Sequence, residues 1–127
     1  MRSAYIEHVN LTVSDPDRST RLFHDLFGWE VRWQGPARDG GRSIHVGDDA
    51  TYLAIYAEPG TAKSVDKSWP KGAPLNHVGI LVEDLDETER RVIAAGLAPF
   101  NHGDYEPGRR FYFLDWDGIE FEIVSYA

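Results

Sequence analysis

The feature that most constrains this chain is an internal repeat. Ile6-Glu7-His8-Val9-Asn10-Leu11-Thr12-Val13-Ser14-Asp15 returns, a little over half the chain later, as Leu75-Asn76-His77-Val78-Gly79-Ile80-Leu81-Val82-Glu83-Asp84. Both segments read as a strand with one His near its start and an Asp at its end. Self-similarity at a fixed period marks a duplicated supersecondary unit, so the search reduces to what one unit folds into.

Each strand runs into a helix signal. Asp15 and Asp84 are placed as N-caps, and Pro16 suits the first helical position. Leu22, Phe23, Leu26 and Phe27 recur at helical spacing, and Gly28 is set to end that helix. In the second copy Leu85, Thr88, Val92 and Ile93 repeat the pattern, and Gly96 ends it. Three short strands follow each helix, expected over Trp29–Gln34, Arg42–Val46 and Thr51–Glu58, then over Ala98–His102, Arg110–Leu114 and Ile119–Tyr126, with Gly, Pro and Asp clusters between them. The unit is therefore βαβββ, occurring as repeat one (5–58) and repeat two (75–126). The stretch 59–74, rich in Lys, Ser, Gly and Pro from Lys63 to Pro74, is the expected linker. The fold class is α+β: a single domain, 1–127, of two βαβββ repeats whose strands form a curved, partly closed mixed sheet with helices outside.

Strand alternation assigns faces. In the first strand Tyr5, Val9, Leu11 and Val13 belong to the helix side, leaving Ile6, His8, Asn10 and Thr12 on the other. In the repeat-two strand Val78, Ile80 and Val82 face the helix, which puts His77 and Gly79 opposite. In the last strand Ile119, Phe121, Ile123 and Ser125 face the helix, and Glu120, Glu122 and Val124 turn away. His8, His77 and Glu122 thus share the face without helices. Two imidazoles and one carboxylate suit a divalent ion, Fe(II), Mn(II), Zn(II) or Ni(II), with positions left open for substrate.

Composition narrows the partners. The 21 acidic residues outnumber the 13 basic ones for a formal charge of -8, which repels phosphate backbones and anionic lipid, so no nucleic-acid or membrane partner is expected. With no cysteine, thiolate nucleophiles, disulfides and cysteine-bound zinc drop out. No apolar run is long enough to span a bilayer, and no basic-then-apolar leader pattern opens the sequence. A small-molecule substrate and a cytoplasmic setting are the expectations.

Other residues belong to the same face. His45, with Ser43, has the inward parity of its strand, and Tyr112 that of its own; both are candidates for catalytic proton handling. Asn10, Tyr52, Tyr56 and Arg110 are candidates for substrate contact, and Arg109 with Arg110 reads as a possible clamp for a carboxylate or phosphonate. His24 and His102 read as surface residues. Trp33, Trp69 and Trp116 line either a mouth or an interface.

Three segments together resemble the vicinal oxygen chelate superfamily, which contains glyoxalase I, extradiol dioxygenases, fosfomycin-resistance transferases and bleomycin-binding proteins. They are Ile6-Glu7-His8-Val9 through Phe27-Gly28-Trp29-Glu30-Val31, Asn76-His77-Val78-Gly79-Ile80, and Phe111-Tyr112-Phe113-Leu114-Asp115-Trp116-Asp117-Gly118 with Glu122. The resemblance implies paired βαβββ units, a divalent metal on His8, His77 and Glu122, a substrate that chelates it through two oxygens, and a homodimer whose repeats pair within or across chains. It implies an extradiol-dioxygenase-like or glyoxalase-like enzyme. The alternatives are a fosfomycin-resistance-like transferase or a metal-free, drug-binding protein. The chain departs from the pattern twice. Trp116 stands where the family's turn has Pro, and Ala54 stands at the position equivalent to Glu122, where glyoxalase I-like enzymes carry a fourth, carboxylate ligand.

Overall fold

A computed structural model describes residues 5–37, 40–59 and 75–127. Trp69 and the expected linker beyond Pro59 lie outside the described residues. The chain forms two compact units, 1–64 and 65–127. The first holds β1 (His8–Thr12), α1 (Pro16–Phe27), β2 (Glu30–Pro36), β3 (Arg42–Gly47) and β4 (Tyr52–Ala57). The second holds β5 (Val78–Leu81), α2 (Leu85–Ala94), β6 (Phe100–Tyr105), β7 (Gly108–Leu114) and β8 (Glu120–Ser125). Sheet order is β1-β4-β3-β2 in the first unit and β5-β8-β7-β6 in the second. In each, the first strand pairs parallel with the last and the remaining pairs are antiparallel. A parallel pair needs a long connection, and here the helix and two strands supply it. Two βαβββ repeats of the α+β class are what the chain folds into.

The helix ends follow the expected chemistry. The Asp15 carboxylate accepts from the Arg18 backbone N–H at 3.1 Å, and Asp84 accepts from that of Glu87 at 3.0 Å. Each cap satisfies one N–H that the first turn leaves open, a stabilisation of about 1 kcal/mol. Gly28 closes α1 with a left-handed φ of 73°. Each helix then covers one sheet face. Leu22, Phe23 and Leu26 bury with Leu11, Val46, Leu53 and Ile55; Leu85 and Val92 bury with Phe111, Phe113, Phe121 and Ile123. Each such side chain contributes about 1.5–3 kcal/mol of burial.

Three expectations change. Ile93 is 57% exposed, because α2 turns Leu85, Thr88 and Val92 to the sheet and leaves the next residue about 100° around the helix. Tyr5, expected beneath the helix, is 55% exposed and precedes β1. Strand β6 runs on to Tyr105, and β7 already begins at Gly108. The Gly, Asp, Glu and Pro cluster that reads as a long turn condenses to Glu106 and Pro107, flanked by the Tyr105–Gly108 pair.

The turns that launch the last strands are built alike. After β3, the Asp48 carboxylate accepts from the backbone N–H groups of Ala50 and Thr51, both at 2.9 Å. After β7, Asp115 accepts from Asp117 and Ile119, again both at 2.9 Å. Such side-chain mimicry of a backbone turn fixes where β4 and β8 start. It therefore fixes the register of every side chain on the face opposite the helices.

Candidate metal and ligand site

Register gives the two units a common coordinate system. Ala54 lies opposite Asn10 and His45, and Glu122 lies opposite Gly79 and Tyr112. Ala54 and Glu122 are thus equivalent, and so are His45 and Tyr112. Ser43 is opposite Tyr56 where Arg110 is opposite Val124. Both copies carry an imidazole one step before or at the start of their first strand, His8 in β1 and His77 just before β5.

The two imidazoles are held in the same way. His8 Nδ1 donates to Glu7 Oε1 at 3.0 Å, and His77 Nδ1 pairs with Asn76 Oδ1 at 2.7 Å. In each case the preceding side chain engages one ring nitrogen, which leaves Nε2 as the outward atom. The bond from His8 lowers the Glu7 carboxyl below its usual range. Sequence reasoning passed over Glu7 and Asn76, although both precede the repeated His and both carry a side-chain oxygen.

In the second unit the outward atom already has a partner. His77 Nε2 lies 2.9 Å from Glu122 Oε1, and Arg110 Nη1 donates to Glu122 Oε2 at 2.7 Å. Arg110 also donates to the Gly108 carbonyl at 3.2 Å and stacks over Tyr105. Its Nε is buried with no hydrogen-bond partner among the described residues. Tyr112 meets the His77 ring edge-on at 5.7 Å between centroids. Burial first, then the Glu122 charge, pushes the Tyr112 phenol above its ordinary value, so it keeps its proton at neutral pH. Arg109 does not join Arg110. It is bound to Asp86 of α2 at 2.9 Å, because neighbouring strand residues face opposite sides, and the expected two-arginine clamp is not formed.

The first unit has rings where the second has charges. His8, Tyr52, His45 and Trp33 form a row, with centroids 4.9, 4.5 and 4.9 Å apart. The Tyr52 hydroxyl donates to Glu7 Oε1 at 3.3 Å, and Arg32 lies over the Tyr52 ring. A cavity of about 670 Å³ has as described walls Asn10, Trp33, Pro36, Ala37, Ser43, His45, Tyr56 and Glu58. It gathers Asn10 and Tyr56 from the expected contact residues and His45 from the expected proton-handling ones; Tyr52 and Arg110 are not among those walls. Burial is the main influence on His45 and pushes its imidazole below 6.5, with His8 and Arg32 adding to the effect. Trp33 enters the cavity because a bulge between Val31 and Trp33 resets the alternation and pairs it with His45. A strict period of two conceals that placement. His24 and His102 are exposed, the latter in β6 and ion-paired with Glu89 at 2.6 Å.

Imidazole nitrogen and carboxylate oxygen, presented side by side by His77 and Glu122, are a suitable donor pair for a borderline divalent cation. Within either unit, no group of three or more His, Asp or Glu suited to an ion occurs among the described residues.

Against known proteins, the model of the Glyoxalase/Bleomycin resistance protein/Dioxygenase superfamily matches residues 5–123. The chain belongs to that superfamily. Among solved structures it is similar to a glyoxylase/bleomycin resistance protein/dioxygenase domain from Frankia sp. EAN1pec, at 26% identity and TM-score 0.78, covering 98% of each chain. It also resembles a glyoxalase family protein from Enterococcus faecalis at 19% identity and TM-score 0.76, covering 98% of this chain and 99% of that one. A third likeness is to a mutant of the fosfomycin resistance protein FosX from Listeria monocytogenes, complexed with Mn(II) and 1S,2S-dihydroxypropylphosphonic acid. It shows 18% identity and TM-score 0.75, covering 99% of this chain and 95% of that one. No curated protein matches. No helix among the described residues is long and apolar enough to cross a membrane.

Proposed function

We propose that the chain is a metal-dependent enzyme of the vicinal oxygen chelate type, acting on a small molecule that presents two oxygens to a divalent ion held by His8, His77 and Glu122. The observation that carries this reading is the His77–Glu122 contact, 2.9 Å between Nε2 and Oε1, with the other ring nitrogen already engaged by Asn76. These are the two atoms a cation would take, and His8 is prepared in the same manner by Glu7. When bound, the ion supplies Lewis acidity to the chelating oxygens, or a site for O₂.

The chain's own residues account for the rest. His45, largely uncharged at neutral pH, can accept a proton from a ligand in the cavity it lines. Tyr112 retains its proton and can donate a hydrogen bond beside Glu122. Arg110 holds one oxygen of Glu122 and so orients the other toward His77. Ala54 supplies no fourth ligand, which favours an extradiol-dioxygenase-like or other three-ligand chemistry over that of a glyoxalase I. Dimerisation is part of the same reading, by analogy with the superfamily.

Calorimetric titration with Mn(II) and Fe(II) tests the ligand set. The unmodified protein binds one ion per chain; His77→Ala and Glu122→Gln weaken binding by about a hundredfold or more while keeping the far-ultraviolet circular dichroism. An unmodified protein that takes up no ion, or a His77→Ala variant with undiminished affinity, overturns the proposal.

A further inference from the structure

Tyr52, expected as a substrate contact, is not among the described walls of the cavity. Its ring is engaged by the chain itself. In β4 it lies opposite His8 of β1 on one side and Gly47 of β3 on the other. The His8 ring stacks on it, with centroids 4.9 Å apart and planes 14° from parallel. The His45 ring stacks on it as well, at 4.5 Å and 22°. His45 is a diagonal neighbour, since Ala54 is the residue directly opposite it, and diagonal pairs lie within reach of aromatic side chains. Ala54 has only a methyl group there, which leaves the imidazole room to lean toward Tyr52.

Three further contacts hold Tyr52 in place. Its backbone N–H donates to the Glu7 carbonyl at 3.0 Å, and its hydroxyl donates to Glu7 Oε1 at 3.3 Å. The same oxygen accepts from His8 Nδ1 at 3.0 Å, so one carboxylate oxygen aligns both rings. Arg32, the extra residue of the β2 bulge, brings its guanidinium carbon to 4.6 Å from the Tyr52 centroid, a cation–π contact. The backbone is set just as closely. A Cβ on Gly47 would meet the Thr51 carbonyl oxygen and come within 2.5 Å of Tyr52 Cα, and neither backbone atom can give way. Glycine at 47 is what lets β4 open with Tyr52 in this place.

We propose that Tyr52 is a positioning residue whose ring ties together two imidazoles, His8, which would hold the ion, and His45, which would accept a proton. An exposed imidazole turns about two side-chain torsions, and stacking on a common tyrosine restricts both rings at once. The affinity of a metal ligand depends on such outer partners as well as on the ligand itself. That the two imidazoles carry those roles rests on the functional reading above; the stack does not.

Two variants separate the Tyr52 ring from its hydroxyl, and two measurements separate the stack from the ion. Proton NMR of the metal-free full chain follows the imidazole C–H resonances of His8 and His45, assigned with His8→Gln and His45→Gln. Protons held over an aromatic face are shifted upfield, so Tyr52→Leu is expected to move both sets downfield, whereas Tyr52→Phe leaves them near their original positions. Calorimetric titration with Mn(II) is expected to show about tenfold weaker binding by Tyr52→Leu. Tyr52→Phe loses less than about threefold, because a long bond from an exposed hydroxyl contributes little. Nuclear Overhauser contacts from the Tyr52 ring to both imidazoles in the unmodified protein require no substitution, and their absence overturns the proposal whether or not Tyr52→Leu folds. A folded Tyr52→Leu variant whose imidazole resonances stay in place overturns it too, as does one whose Mn(II) affinity is undiminished in a protein that binds the ion. A Tyr52→Phe variant as weak as Tyr52→Leu has the same consequence. If the unmodified protein takes up no Mn(II) while Tyr52→Leu moves both imidazoles, the metal reading alone fails.

Discussion

The two units have the same strand order, the same Asp N-caps and a similar Asp-built turn, yet the register-equivalent positions facing away from the helices carry opposite chemistry. Asn10, Ser43, His45 and Ala54 in the first stand where Gly79, Arg110, Tyr112 and Glu122 stand in the second. The first set carries no carboxylate or guanidinium, and Asn10, Ser43 and His45 of it line a cavity; the other is ionic and closes on itself through Arg110, Glu122 and His77. The difference teaches that duplication preserved what the helix side requires, a continuous apolar core, and released what the other side does. Burial fixes one face by tens of contacts, whereas a site needs only a few side chains.

The turns give the largest test of this division. Asp48 and Asp115 each receive two backbone N–H groups at 2.9 Å, but Asp48 is exposed and Asp115 is 3% exposed. Water can replace Asp48, whereas Asp115 is buried and its bond from the Asp117 N–H lies in the interior. Asp115→Ala is expected to cost about 2–4 kcal/mol of folding free energy, and Asp48→Ala about 1 kcal/mol or less. Urea denaturation of the two variants measures the ratio; equal costs would mean that the two turns are not distinguished by solvent. The two N–H bonds also lower the Asp48 carboxyl below 3.8. Its contribution to stability is therefore present above pH 3.8 and lost as pH falls through the lower, folded value.

The residues before the histidines come next. Glu7 and Asn76 do one job with different charge, so their removal compares the units at their point of closest similarity. Glu7→Ala and Asn76→Ala are each expected to lower Mn(II) affinity by about ten- to a hundredfold with the melting temperature nearly unchanged. The conservative variant Glu7→Gln recovers most of the loss, since an amide oxygen can still accept from His8 Nδ1. Unaltered affinity in both alanine variants would show that the rings need no such support.

How far the sequence alone reached follows from the same asymmetry. The βαβββ order, both N-caps and, Tyr5 aside, the helix-side residues of the strands were legible because each rests on a local rule: an Asp before a periodic run, an alternation of apolar residues. The equivalence of Ala54 with Glu122 was legible from the repeat, and the register bears it out. The place of Trp33 was not legible, because one extra residue in β2 inverts the parity on which such an assignment depends. The engagement of Arg110 with Glu122 rather than with Arg109's partner was hidden too. Two adjacent arginines look like a pair in one dimension, and a pleated strand sends them to opposite faces. The linker and Trp69 lie outside the described residues.

The smallest expected effect concerns the equivalent pair His45 and Tyr112. Burial acts on both, but it disfavours the charged form, so it lowers the imidazole and raises the phenol. One residue is thereby left able to accept a proton and the other obliged to keep one. For His45 the sign is definite. Because its folded value lies below 6.5, the unfolded chain takes up the proton more readily. Its effect on stability is nil above pH 6.5 and becomes a loss as pH falls from 6.5 through the folded value. Proton NMR of the imidazole C–H resonances, assigned by comparison with His45→Gln, is expected to give a midpoint below 6.5 for His45. Arg32→Ala should move that midpoint upward, since the guanidinium opposes a second positive charge. A His45 midpoint at or above 6.5 would mean that the ring gains charge where burial is held to oppose it. The contrast between an uncharged first set and an ionic second one would then fail at its central residue.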